Sequence, residues 1–317
     1  MAFSNDVRDE LLNLKLQSKE ESISFLSAAL IFCGKIVFIG NNKVTFYYVT
    51  ENAGVARAIV HEFKEVFSES LELYQKRNYN FSRKKIYLLR YNSNKSANDI
   101  LKKLYIISSE KQTASINEYI EKSLIAGENR CKAFLRGAYL ASGSLSNPEK
   151  FYHLEFVTGY LGYANSFSRL LNKLGIRSNV LERNDAYIIY VKESESISDF
   201  LNYVGAHSNM FKFEDIRIKK QVRNNVNRVV NCETANIEKI AKTFVRQKQS
   251  IEYILEKKSI DYLPEDLREV AMLRIENEED SLQELASKLS TPISKSGINY
   301  RLKKIEKIAE TLRKEGK

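Results

Sequence analysis

Cysteine is scarce in this sequence, with three residues at positions 33, 131 and 232. An odd number so widely dispersed excludes a disulfide framework and a local zinc knuckle, and reads as reduced thiols in a cytosolic protein. Histidine is as sparse: His61, His153 and His207 stand apart, none with an acid or cysteine at ligand spacing, so neither a zinc site nor another metal or cofactor is expected. Gly34-Lys35 lacks the rest of a phosphate-binding loop. Long apolar runs are also missing. The longest, Ala28 to Cys33, ends at Gly34 and Lys35, far short of the roughly 20 residues that span a bilayer. Met1 to Leu16 mixes Asp6, Arg8, Asp9, Glu10 and Lys15 with apolar residues, unlike the uninterrupted core of a secretory signal. These absences point to a cytoplasmic protein without a membrane partner.

What remains is a chain of 317 residues, 43% apolar and 28% charged. That is enough apolar material for a sizeable core, and the length suggests two domains or three small ones. Fifty basic against forty acidic residues leave a formal charge of +10, which invites a polyanionic partner without proving one.

An internal repeat organises the first two thirds. Phe25-Leu26-Ser27-Ala28-Ala29-Leu30-Ile31-Phe32-Cys33-Gly34 returns as Phe134-Leu135-Arg136-Gly137-Ala138-Tyr139-Leu140-Ala141-Ser142-Gly143, and Val49-Thr50 with Gly54 and Ala56 returns as Val157-Thr158 with Gly162 and Ala164. After each opening segment come an alternating run, a run with apolar residues at helical spacing, two further β-like runs and a closing helix. Each half, about 20–105 and 129–205, therefore reads helix, two strands, helix, two strands, helix. The stretch from Ile106 to Asn129 has no clear period and reads as a surface connector. Small residues Ala28, Ala29, Gly137 and Ala138 on the two opening helices would let those helices pack closely about a pseudo-twofold axis.

Leu26–Gly34 and Leu135–Gly143 resemble the nonapeptide of the LAGLIDADG homing endonuclease fold. The resemblance implies that the eighth position of each nonapeptide would carry a metal-binding acid, yet those positions hold Cys33 and Ser142. Hard cations need carboxylate oxygens, and no Asp or Glu occurs from Ser22 to Thr50 or from Cys131 to Pro148. The expectation is a scaffold that has lost its nuclease chemistry, with no catalytic residues.

The last third changes texture. Ile237, Ile240, Ala241, Phe244, Ile251 and Ile254 recur at helical spacing, and Pro264 opens another helix with Glu265, Asp266 and Glu269 in its first turns. Ser281-Leu282-Gln283-Glu284 is a capping box. The short helix it starts is broken around Pro292, after which Ser294 can cap a second helix carrying Ile298, Leu302, Ile305, Ala309 and Leu312 on one side. Two short helices, a tight break and a basic second helix are the marks of a helix-turn-helix. Ser296, Tyr300, Lys303, Lys304 and Lys307 fall opposite the apolar stripe, with Asn299 on the flank and Lys295 and Arg301 nearby. Such a face offers phosphate-binding cations and groups able to reach base edges. Lys288 to Lys317 carries nine basic and three acidic residues, whereas Glu265 to Glu284 carries two basic and eight acidic. The positive pole thus lies on the recognition helix.

Two further acid-free stretches are candidate secondary DNA contacts. One, read as a basic linker over 216–235, holds Arg217, Lys219, Lys220, Arg223 and Arg228 among asparagines; a bland linker and a phosphate-tracking element fit it about equally. The other, Lys76 to Asn98, holds Arg83, Lys84, Lys85 and Arg90 interleaved with Tyr79, Phe81, Tyr87 and Tyr91, which could equally be the buried side of a sheet.

The whole chain resembles the WhiA family of bacterial regulators. The residues that carry the resemblance are Phe3-Ser4-Asn5-Asp6-Val7, Phe134 to Ser144, Arg223-Asn224-Asn225-Val226-Asn227-Arg228, Asn231-Cys232-Glu233-Thr234-Ala235-Asn236 and Ile293-Ser294-Lys295-Ser296-Gly297-Ile298-Asn299. The resemblance implies an α+β fold: a duplicated, non-cleaving LAGLIDADG-like domain over 1–215, then an all-α helix-turn-helix domain over 236–317 similar to region four of sigma factors. It also implies binding of double-stranded DNA with effects on transcription, sporulation, cell division or chromosome segregation, and hence a place at the nucleoid. The partners to expect are DNA and an RNA polymerase sigma factor or another regulator, with the chain itself a monomer. Tyr300 departs from the histidine expected there. The rival readings are an active metal-dependent endonuclease using acids from elsewhere in the groove, and an adaptor acting through the transcription machinery.

Overall fold

The computed structural model describes residues 2–40, 43–77, 85–92, 97–108 and 116–315. The chain divides into two compact units, Met1–Lys220 and Gln221–Lys317.

In the first unit a short helix α1 (Ala2–Leu12) precedes the repeat and buries Phe3, Val7 and Leu11, four residues apart on one face. The first half then runs α2 (Lys19–Cys33), β1 (Gly34–Gly40), β2 (Lys43–Thr50), α3 (Ala53–Phe67), β3 (Glu72–Arg77), β4 (Lys85–Arg90) and α4 (Ala97–Lys103). The second half runs α5 (Glu128–Ser142), β5 (Ser144–Leu145), β6 (Leu154–Thr158), α6 (Leu161–Lys173), β7 (Asn179–Arg183), β8 (Ala186–Val191) and α7 (Ser194–Val204). The two antiparallel sheets have the same strand order, β1-β2-β4-β3 and β5-β6-β8-β7, so the repeat read in the sequence is a repeat of architecture.

Helices α2 and α5 pack against each other as the small residues require. A Cβ built on Gly137 would lie 2.4 Å from the Phe25 carbonyl oxygen and 3.1 Å from the Ala28 Cβ. Ala28 is the repeat equivalent of Gly137, so across the axis only one of the two positions carries a methyl group. One hydrophobic core serves both halves, running from Leu26 and Phe46 to Phe134, Phe156 and Phe200. Polar side chains on the helices are tied to distant backbone: Ser27 Oγ donates to the Leu104 carbonyl at 2.7 Å, and Arg136 Nε donates to that of Val204 at 2.6 Å.

Two stretches differ from their sequence reading. The segment 106–129, read as a surface connector, buries Ile106, Ile107, Ile120 and Leu124, bridges Ile107 to Ile116 and forms a 3-10 turn at Lys122–Ile125. The segment 216–235, read as a linker, lies inside α8 (His207–Lys257), a continuous helix of 51 residues. Neither glycine nor proline occurs from Ala206 to Leu263, so nothing in that stretch interrupts the backbone hydrogen-bond ladder.

The second unit takes the end of α8 and adds α9 (Glu265–Glu276), α10 (Leu282–Lys288) and α11 (Lys295–Glu315). Its core joins Ile251 and Ile254 of α8, Leu267, Val270 and Ala271 of α9, Leu285 and Ala286 of α10, and the α11 stripe. Among the described residues no helix is long and apolar enough to cross a membrane.

Candidate nucleic-acid interface

The α10–α11 pair is built by capping at both starts. Ser281 Oγ accepts from the Glu284 N–H at 3.3 Å while Glu284 Oε2 accepts from the Ser281 N–H at 2.7 Å, the reciprocal box that satisfies two otherwise orphaned donors. Those bonds to Ser281 hold the Glu284 carboxyl below its usual pKa. At α11, Ser294 Oγ accepts from the Gly297 N–H at 3.1 Å. The turn between the helices is fixed by the Ile293 N–H donating to the Ala286 carbonyl at 3.3 Å, and by Glu269 of α9, which accepts from the Ser290 N–H at 2.6 Å and from its hydroxyl at 2.9 Å.

Ile298, Leu302, Ile305, Ala309 and Leu312 are buried, the stripe expected from spacing. On the opposite side Ser296, Tyr300, Lys303, Lys304 and Lys307 are exposed, Tyr300 to 70%. Lys295 is exposed at the start of the helix, while Asn299 and Arg301 are half-buried on its flanks. Glu306, the acid nearest these lysines on the helix, is occupied by Arg246 at 3.0 Å. Among the described residues no ion pair engages Lys295, Arg301, Lys303, Lys304 or Lys307, so the face keeps its charge for a partner.

One residue essential to this geometry carries no sequence signal. Arg274 of α9 is 1% exposed, its guanidinium donating to the Asp280 carbonyl at 2.8 Å and lying 4.9 Å over the Phe244 ring. Burial lowers its pKa, and Asp280 and Glu278 oppose that shift. It therefore ties α8, α9 and the loop before α10 together. Arg274→Ala is expected to destabilise the second unit by about 3 kcal/mol through the cavity and the stranded carbonyl, seen as a lower midpoint in denaturant unfolding.

The secondary candidates separate. Arg83 and Lys84 lie outside the described residues. Lys85 and Arg90 are exposed but have opposite parity on β4: Lys85 shares the face of buried Leu89, and Arg90 lies on the open face beside Tyr47 and Glu72. Tyr91 and, partly, Tyr87 pack into the core. Arg217 pairs with Glu214 at 2.9 Å, and Lys220 donates to the Pro148 carbonyl at 3.1 Å above the Tyr152 ring, so both are held within the first unit. Lys219, Arg223 and Arg228 are exposed on α8.

The two positions that would carry acids in a nuclease are also engaged. Ser142 Oγ accepts from the Val157 N–H at 3.1 Å, and Cys33 meets the backbone of Val49, the repeat equivalent of Val157. Burial pushes the Cys33 thiol up to about 12. In the cleft beside Ser142, Glu51 is the single acid among the described lining residues, which also include Arg8. A serine hydroxyl, a thiol held protonated and one carboxylate do not fit a divalent metal, and among the described residues no group of three His, Cys, Asp or Glu is placed to hold one. With its thiol held protonated, half-buried Cys33 is a slow nucleophile. Iodoacetamide at about pH 8 is expected to alkylate exposed Cys232 first, and Cys33 and Cys131, whose thiols are held protonated, more slowly, as peptide mass mapping would report.

Comparison with known proteins agrees with this architecture. The WhiA N-terminal LAGLIDADG-like domain matches residues 19–107, the WhiA LAGLIDADG-like domain 131–223, and the WhiA C-terminal HTH domain 226–309. The probable cell division protein WhiA of Clostridium acetobutylicum is 41% identical over 317 residues, all of both chains. That of Thermoanaerobacter sp. is 42% identical over 313 residues, covering 99% of this chain and 98% of its own. The crystal structure of full-length DUF199/WhiA from Thermotoga maritima is 26% identical, with a TM-score of 0.56 over 96% of each chain. With three domains matched in order and identity sustained from end to end, the chain belongs to the WhiA family.

Proposed function

We propose that this protein is a sequence-specific DNA-binding transcriptional regulator without nuclease activity, serving cell division as the names of its relatives suggest, with sporulation or chromosome segregation as further outlets. The observation that carries the reading is the α11 face: an exposed array of Ser296, Tyr300, Lys303, Lys304 and Lys307, with no ion pair among the described residues, on a helix capped and braced by α9 and α10. Lysines on such a helix neutralise phosphates, while Asn299, Tyr300 and Ser296 are of the types that read base edges in the major groove. The reading places the protein on the nucleoid in the cytoplasm, as a monomer whose first unit contacts a sigma factor or another regulator. Arg90 on the open sheet face, and Lys219, Arg223 and Arg228 on α8, are available for secondary contacts.

The test is a chromosome-wide binding profile of the full-length protein beside a chain lacking Glu265 to Lys317. Discrete sites lost with the helix-turn-helix support the reading, and sites retained without it overturn the assignment of α11. A parallel incubation of supercoiled DNA with Mg²⁺ or Mn²⁺ separates the rival: cleavage abolished by chelator would make the protein an endonuclease.

A further inference from the structure

Every residue of α8 from Gln221 to Lys239 is exposed, a length of about 28 Å of helix. Asparagine fills five of the thirteen positions from Asn224 to Asn236, although its side chain competes with the backbone and weakens a helix interior. Packing does not offset that cost, because the stretch belongs to neither hydrophobic core. Nor do hydrogen bonds: among the described residues the side chains of Asn224, Asn225, Asn227 and Asn231 make none. At about 100° per residue, Asn227, Asn231 and Asn224 fall about 40°, 80° and 100° round the helix from Arg223, and Arg228 about 140°. Val222, Val226, Val229 and Val230 occupy the arc from about 240° to 340°, and Asn225 sits about 200° round, so none of these shares the polar face. No acid occurs from Ile216 to Cys232. Glu233 falls among the valines, and Glu238, the first acid on the polar face, is paired with Lys242 at 3.3 Å.

We infer that this face makes α8 a second recognition helix, which reads base edges in the major groove of double-stranded DNA through Asn224, Asn227 and Asn231, with Arg223 and Arg228 at its two edges. The inference rests on the DNA-binding reading above and adds base readout to a stretch there credited only with charge. Chemistry selects the occupant. Asparagine pairs bidentately with adenine N6 and N7, and arginine with guanine O6 and N7, patterns that B-DNA displays in its major groove. That groove is about 12 Å wide, a helix with its side chains measures about 10–12 Å across, and uninterrupted helices that enter it are an established mode of reading. Neither arginine has an ion pair among the described residues, so both keep their charge for the duplex. Double-stranded RNA does not fit, since its major groove is too deep and narrow for side chains to read. Single-stranded nucleic acid calls for aromatic stacking platforms, and a lipid surface for Trp, Phe or Leu. No Leu, Phe, Tyr or Trp occurs from Glu214 to Thr243. A protein partner would find no large apolar anchor on the face, and an acidic one would meet amides at its centre, whose oxygens repel carboxylates.

The experiment selects duplexes with the full-length protein from a randomised library of about 30 base pairs, roughly three turns of DNA. The wild-type protein is expected to select a motif with two blocks of fixed bases. Asn227→Ala with Asn231→Ala removes no charge and favours the helix. That variant is expected to lose preference across one block and to bind the wild-type site about tenfold or more weakly, with its circular dichroism and the salt slope of its affinity unchanged. Asn225→Ala, on another side of the helix, is expected to behave as wild type. Unchanged selection and affinity in the Asn227/Asn231 variant, with binding still dependent on Lys303, Lys304 and Lys307, overturns this inference and leaves the α11 reading in place. A block that depends on Asn227 and Asn231, together with indifference to those three lysines, supports it and overturns the assignment of α11. Selection of no motif by the wild type overturns both. A uniform loss of affinity with both blocks retained overturns the inference alone, as does asparagine-dependent competition by duplex RNA of the selected sequence equal to that by the DNA.

Discussion

Replacing Lys303, Lys304 and Lys307 together by alanine is expected to lower affinity for a cognate promoter fragment on the order of a hundredfold near 0.1 M salt. Each phosphate-bound lysine releases about 0.9 of a counterion, so three of them set a slope near 2.7 in log affinity against log salt. That slope should shrink by about the same amount in the variant, as measured by fluorescence anisotropy across a salt series. The three side chains are exposed, in no ion pair among the described residues, and opposite the buried stripe, so the protein should unfold at an unchanged midpoint. Asn299→Ala and Tyr300→Phe are expected to behave otherwise. They remove hydrogen-bonding groups of the kind that read bases, and cost about 1–3 kcal/mol on the cognate site while leaving the salt slope and non-specific affinity alone. An unaltered slope in the triple variant would move the DNA contact off α11.

Much of the architecture is written in the sequence because the repeat is written there. Phe25 to Gly34 and Phe134 to Gly143 mark α2 and α5, and the pairing of Val49-Thr50 with Val157-Thr158 marks β2 and β6 as equivalent strands. The α11 stripe is equally legible, since Ile298, Leu302, Ile305, Ala309 and Leu312 are spaced as a helix face and all are buried. Reading fails where burial has no period. Ile106, Ile107, Ile120 and Leu124 reach the core from irregular backbone, which periodicity cannot detect. It fails again on α8, where Asn224, Asn225 and Asn227 have poor intrinsic helix propensity. Helix formation is cooperative, so well-formed turns on either side carry such a stretch, and the absence of glycine and proline was the better sign. The braces of the candidate interface are hidden for a third reason. Glu269 and Arg274 look like surface charges of α9, yet they bind Ser290 and the Asp280 carbonyl, which only the folded unit brings near.

The second large effect tests the axis of the first unit. Gly137→Ala places a methyl group 2.4 Å from the Phe25 carbonyl oxygen, a backbone atom that cannot swing aside as a flexible side-chain end could. The α2–α5 pair must then separate at the point where both halves share one core, and overpacking of this kind costs about 3 kcal/mol. For a domain of this size that corresponds to a fall of about 6–12 °C in Tm, read by calorimetry on the full chain as the transition of the first unit. Ala28→Gly in the same molecule is expected to restore only part of the loss. It removes the 3.1 Å contact with the Ala28 Cβ but not the collision with the Phe25 carbonyl. Ala28→Gly alone should cost about 1 kcal/mol, the ordinary penalty of glycine within a helix. The two repeats thus diverged at equivalent positions in a way that admits one methyl group at the axis, and full tolerance of Gly137→Ala would show that the helices do not approach so closely.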